Sequence, residues 1–218
     1  DQQLEDGVRG FMLDVHPLEE DAWLCHSECA LGKERLADGM ARYATFLDAH
    51  PDNVMVLVFE SYVEPAAIAA AFDEAGVAHR AYTHTDPHQS WPTLAALIDA
   101  GTPLVAFSQG DGADVPWLMD GYADHLWDTP YAAQTPDDLS CELLRGSQDH
   151  PLFLLNHFLS RPTARPDLAE EVNHDPLLTQ RVRQCEAEAD QRVNLIAVDF
   201  YDIGDLLTAV DVLNGVGD

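Results

Sequence analysis

Basic residues are scarce in this sequence. Lysine and arginine together number 11 against 39 aspartates and glutamates, Lys33 is the only lysine, and the formal net charge is −28. Phosphate backbones are held by clustered Lys and Arg, so the chain is poorly made for nucleic acid. Adherence to an anionic membrane surface is disfavoured for the same reason. Two readings of the surplus acid stay open: plain solubility, and a salty medium that screens self-repulsion. Long apolar runs are missing too, since none approaches the roughly 18 residues that span a bilayer. Hydrophobic residues still make up 46% of the chain, so it is not a disordered acidic tail. No repeat, low-complexity tract or linker interrupts the 218 residues, and a single domain with a sizeable core is expected over 1–218. No signal peptide is visible, because Asp1 stands just before the first expected strand. The chain looks cut at its start, so that absence does not argue against export.

Cysteine is sparse, at Cys25, Cys29, Cys141 and Cys185. An even count in an exported protein favours two disulfides. Two alternatives stay open: a metal site built on Cys25-x-x-x-Cys29 with His26 between, and free buried thiols in a cytosolic protein.

What the chain does have is a series of short apolar runs separated by helical patterns. Strands are expected over 8–14, 23–26, 54–60, 104–108, 151–156 and 195–200, with shorter ones at 78–83 and 124–127. Helices are expected over 34–49, where Leu36, Met40, Tyr43 and Leu47 form a stripe, over 65–75, from Trp91-Pro92-Thr93 to Gly101, around Leu177, Leu178, Val182 and Cys185, and from Gly204 onward. Alternating strands and helices imply an α/β fold with a parallel sheet. The six strands and the two short candidates count as about seven, with none before residue 8, where a closed barrel needs eight, so the first strand is expected to be missing from this chain.

Three of the runs end on groups able to do chemistry: 7–16 on Asp14 and His16, 23–26 on His26, and 54–60 on Glu60. Period-two alternation puts Asp14 and His16 on one face with Met12 and Gly10, and Glu60 with Val58 and Val56. If that face lines a barrel, these groups stand at its C-terminal lip, where Asn156, Asp199 and Tyr201 close later strands. Taken singly, each also reads as a helix cap, a turn residue or half of a surface ion pair. Together on one rim they gain weight, because an acid ending a buried strand is costly without a partner. Arg9 lies on the opposite face near the strand's start and reads as a structural ion pair. Phosphodiester cleavage needs a base, an acid and a counter-charge for the phosphate oxygens. Hard cations prefer the carboxylate oxygens that Asp14 and Glu60 offer.

The order and spacing of these segments resemble the X-type catalytic region of phosphatidylinositol-specific phospholipase C, in its secreted phosphodiesterase branch. The likeness runs from Gln3–Gly10 through Leu24-Cys25-His26, Glu60-Ser61-Tyr62-Val63, Trp91-Pro92, Leu104–Phe107, Ser140-Cys141, Phe153–Asn156 and Ala197–Tyr201 to Asn214-Gly215. It implies a distorted (βα)8 TIM-type barrel with catalysis at the C-terminal rim. It matches His26 to the general acid that protonates the leaving oxygen, and Asp14 and Glu60 to acids that hold Ca²⁺ in calcium-dependent members. His16, Asn156, Asp199 and Tyr201 are the expected substrate-binding residues. The general base would lie in a Thr-His-Asn-like motif on the first strand, and no such motif precedes His26. Met12 stands where the family has a further acid. The resemblance also implies the pairs Cys25–Cys29 and Cys141–Cys185. A phospholipid or small phosphodiester substrate, a secreted location and no transmembrane segment complete the expectation. The rivals are a metal-dependent glycerophosphodiesterase on the same barrel and a non-catalytic barrel that binds headgroups or glycans.

Overall fold

The apolar run after Gly7 forms a strand longer than its alternation suggests. In the computed structural model β1 spans Gly10–Leu18 and turns back into β2, Asp21–Leu24, with Val15 opposite Leu24 and Leu18 opposite Asp21. Glu19 and Glu20 make the turn at φ 53° and 67°, the left-handed pair that a two-residue hairpin requires. The structure describes residues 1–26, 29–86, 89–110, 112 and 114–216, and divides them between two units, 1–121 and 122–218.

In the first unit a short helix α1 (Gln2–Glu5) precedes β1, and β3 (Glu34–Arg35) leads into α2 (Leu36–Ala49). Then come β4 (Met55–Ser61), α3 (Pro65–Glu74), α4 (Leu94–Asp99), β5 (Leu104–Ser108) and β6 (Leu118–Asp120). The strands form one sheet in the order β3-β2-β1-β4-β5-β6, with β1, β4, β5 and β6 mutually parallel. Alternation decides the faces. Phe11, Leu13, Val15, Leu57, Phe59 and Ala106 pack with Leu36, Met40 and Phe46 of α2 and Ile68 and Phe72 of α3. Met12, Asp14, Val58 and Glu60 therefore face the other way. Arg9 is structural, held by hydrogen bonds rather than by an ion pair: its Nε donates to Asn53 at 2.5 Å and its Nη1 to the Leu4 carbonyl at 2.7 Å.

The second unit holds β7 (Leu126–Asp128), β8 (Leu152–Asn156) and β9 (Val193–Ala197) as a parallel sheet, with α5 (Pro166–Val172), α6 (Leu177–Ala189) and α7 (Leu206–Asn214). Trp127 stacks on Phe153 at 3.7 Å, and both pack with Leu178, Val182, Cys185 and Ala209. Arg181 is buried on α6. It donates to the carbonyls of Asn156 (2.8 Å) and Ser140 (2.9 Å) and lies 3.2 Å from His157 Nδ1. A second buried network centres on Asp128, which takes hydrogen bonds from Arg145 and, at 3.0 Å, from the Tyr122 hydroxyl.

Several expectations change. The strand near 23–26 is antiparallel to β1, not a parallel barrel strand. Residues 78–83 hold a 3₁₀ turn at Ala78–Arg80 and one bridge from Ala81 to Leu104, not a strand. The strand near 124–127 starts later, after a π-helical turn at Gly121–His125. Each sheet is open, with two edge strands, so the closed (βα)8 barrel is not what the strand pairing gives; the α/β class with parallel strands and helices holds. Both expected disulfides are present, each with a Cα–Cα separation of 5.1 Å, which removes the metal-site and free-thiol alternatives.

Candidate active site

Asp14 and Glu60 are register partners on the parallel strands β1 and β4 and share the face turned away from the helices. The hairpin brings His26 to them. Leu24 pairs with Val15, the Cys25 N–H donates to the Asp14 carbonyl at 3.3 Å, and the next residue's Nε2 lies 3.8 Å from Asp14 Oδ2. The His26 side chain is 92% exposed, open to a ligand, and sits inside the loop closed by Cys25–Cys29. Burial pushes the Asp14 carboxyl above its usual range, and the charge of Glu60 pushes it the same way; His26 and His16 pull it back.

One step further along the two strands, His16 stacks on Tyr62 with ring centroids 4.3 Å apart, and the Tyr62 hydroxyl donates to Glu60. That bond holds the phenol above its usual pKa, so Tyr62 stays a donor. Sequence reasoning did not single out Tyr62, although it shares the parity of Glu60. Ser108 ends β5 and pairs with Phe59, which puts it on the helix-packed face and not on the face of Glu60.

The structure thus brings Asp14, Glu60, His26 and His16 together. The other three expected residues belong to the second unit. Asn156 ends β8, buried, and donates to the Thr129 carbonyl at 2.6 Å and to Asp128 at 3.3 Å. Its Oδ1 has no hydrogen-bond partner among the described residues. Asp199 lies two residues past β9, its carbonyl bonded by Asn173 at 2.7 Å. Tyr201 packs against the apolar cluster around Trp127.

The carboxylates also bear on a cation. Burial first, and then the charge of Glu60 on the neighbouring strand, raise the proton affinity of Asp14. Among the described residues no group of three or more His, Cys, Asp or Glu side chains is set to hold a metal. Asp14 and Glu60 supply carboxylate oxygens, the ligand type that a hard cation prefers.

These features define an α/β protein with an acid–histidine cluster where parallel strands leave the sheet. The family model described as PI-PLC X 1 matches residues 1–214, and the chain belongs to the PI-PLC X family. It is 26% identical over 237 residues to PI-PLC X domain-containing protein 1 of Arthroderma benhamiae, covering 99% of this chain and 77% of that protein. It is 26% identical to a PI-PLC X domain-containing protein of Arabidopsis thaliana, covering 98% of this chain and 54% of the relative. An uncharacterized secreted protein of Arthroderma benhamiae is 23% identical, covering 94% and 52%. The chain therefore spans about three quarters of the first relative and about half of the other two. No solved structure matches. No helix among the described residues is long and apolar enough to cross a membrane, and the two disulfides fit an extracellular setting.

Proposed function

We propose that the protein is a secreted phosphoric diester hydrolase of the phospholipase C type, acting on a phospholipid or a related small phosphodiester, with its family's distorted barrel as the scaffold. The observation that carries this reading is the meeting of Asp14, Glu60 and His26 at one end of the parallel strands. Breaking the P–O bond needs a proton for the departing oxygen. His26 is assigned as the acid: its side chain is exposed and its Nε2 lies 3.8 Å from Asp14 Oδ2, at the same end of the strands as Glu60. Tyr62 fixes Glu60 by hydrogen bond, and His16 supports Tyr62 by stacking. Asp14 and Glu60 would hold a divalent cation such as Ca²⁺, which when bound supplies positive charge to the phosphate oxygens. His16, beside Tyr62 and on the face of Asp14, is assigned to substrate binding.

The test is hydrolysis of a phosphodiester by the wild type and by Asp14→Asn and Glu60→Gln. Losses of about 100-fold or more in both variants are expected; unchanged rates would overturn the assignment. A cyclic phosphate product marks attack by a neighbouring hydroxyl, whereas an open monoester alone marks the glycerophosphodiesterase alternative. Met12 favours the non-catalytic alternative, because it is 44% exposed on the face of Asp14 where the family has another acid. Ligand binding without turnover would select that reading.

A further inference from the structure

Among the described residues, no hydrogen bond fixes the His26 ring. Its side chain is 92% exposed, and its ion-pair contact, Asp14 at 3.8 Å, is too distant for a hydrogen bond. The place of the ring is therefore set by the chain on either side. Before it, the ladder of β2 ends at Leu24, and the Cys25 N–H donates to the Asp14 carbonyl at 3.3 Å. After it, Cys29 opens a 3₁₀ turn over Cys29–Leu31, and the sheet resumes at β3, where Glu34 pairs with Leu24. The Cys25–Cys29 disulfide ties these two anchors together, with a Cα–Cα separation of 5.1 Å, across the short span that carries His26.

The two disulfides differ in how a reagent reaches them. Cys141 and Cys185 are both buried, in the cluster of Trp127, Phe153 and Leu178. Cys25 is buried too, but Cys29 is half-buried at the far end of its loop. An attacking thiolate must reach one sulfur, and exposed disulfides are the labile ones, so Cys29 Sγ is the sulfur met first.

We infer that Cys25 and Cys29 are positioning residues for His26, and that opening their disulfide switches the site off while the fold persists. The inference rests on the hydrolase reading for the work that His26 does. The opening is an exchange with a dithiol. Its first thiolate attacks Cys29 Sγ, the S–S bond breaks, and Cys25 leaves as a thiolate that takes up a proton. The second thiol then attacks the mixed disulfide, closes the reagent's own disulfide and releases Cys29 as a thiol. Two electrons and two protons pass to the cysteines, and the dithiol is oxidised. Once the tie is gone, the exposed ring is free to leave the neighbourhood of Asp14. A misplacement of about 1 Å in a reacting group costs about 100-fold in rate, and the loss is bounded by that of His26→Ala.

The test uses the full-length protein, dithiothreitol, and two phosphodiesters that differ in an alkyl or a nitrophenyl leaving group. Alkylation of freed thiols with mass mapping should find Cys25 and Cys29 opened before Cys141 and Cys185. At that stage kcat for the alkyl ester should fall by about 10- to 100-fold at an unchanged KM, fall far less for the nitrophenyl ester, and return on reoxidation. A cooperative melting transition should persist. Cys25→Ser/Cys29→Ser should match the reduced wild type, and His26→Ala should not respond to the reductant. The NMR signals of the His26 ring should shift or broaden on reduction, whether or not either ester is cleaved. Opening of Cys141–Cys185 first, unchanged His26 signals, equal losses for both esters, or a His26→Ala protein that loses further activity on reduction would overturn the inference. The expected change in the ring signals, with neither ester cleaved by the oxidised protein, would overturn the hydrolase reading and leave the positioning role standing.

Discussion

Acid should destabilise the fold through His157. His157 follows Asn156 at the end of β8 and is fully buried. Its Nδ1 faces the Arg181 guanidinium at 3.2 Å and therefore accepts, so its Nε2 carries the proton and donates to the Val172 carbonyl at 2.9 Å. Burial lowers its pKa from 6.5 to about 4, and the charge of Arg181 acts in the same direction, while the Val172 bond opposes them. The folded pKa lies below the unfolded one, so the native state binds the proton less readily. Stability is then complete above pH 6.5 and is lost as the pH falls toward about 4. At about 1.4 kcal/mol per pH decade, the gap amounts to about 3 kcal/mol. His157→Gln removes the ionisation and keeps a donor for Val172. Urea midpoints for both proteins between pH 7.5 and 4 would isolate the effect, since the carboxylates common to both cancel in the difference. The wild type should lose about 3 kcal/mol more than the variant across that range. Parallel curves would show that His157 does not titrate against the fold and would refute the reasoning.

Other expectations follow from the same structure. Arg181→Ala leaves the Ser140 and Asn156 carbonyls without their donor and should cost about 2–4 kcal/mol of unfolding free energy in urea, with the pH dependence of His157 reduced. Removing Cys141–Cys185, which closes a separation of 44 residues, should destabilise by about 4 kcal/mol, against about 2 for Cys25–Cys29 with its separation of 4. Denaturant midpoints of the paired Cys→Ser variants check the ranking. At a net charge of −28, raising NaCl from about 0.05 to about 1 M should raise the melting temperature by several degrees. A flat salt response would leave plain solubility as the account of the surplus acid.

Much of the strand framework was legible because buried parallel strands read as continuous apolar runs: 54–60, 104–108 and 151–156 appear as β4, β5 and β8 within a residue or two. The hairpin was not legible. Its turn is Glu19-Glu20, with none of the Asn or Gly that normally marks two left-handed residues. That miss concealed how His26 reaches Asp14, which depends on β2 running back along β1. The three-residue β6 is too short for any periodicity to register. The Asp128–Arg145 pair joins residues 17 apart across an irregular stretch, a contact that no local pattern encodes. Arg181 did leave a signal: it stands four residues before Cys185 on the apolar stripe of α6, and a charge there implies a buried partner. Of the candidate site, the face shared by Asp14, His16 and Glu60 followed from alternation, whereas the bond from Tyr62 to Glu60 needed three dimensions.

The most direct test of the central claim compares two substrates of the full-length protein that share one phosphodiester and differ in the leaving group, one an alkyl alcohol and the other a nitrophenol. If His26 donates the proton, His26→Ala lowers kcat by roughly 10²–10⁴-fold for the alcohol and far less for the nitrophenol, which leaves without one. Equal losses for both substrates would contradict the account and remove His26 from the acid role.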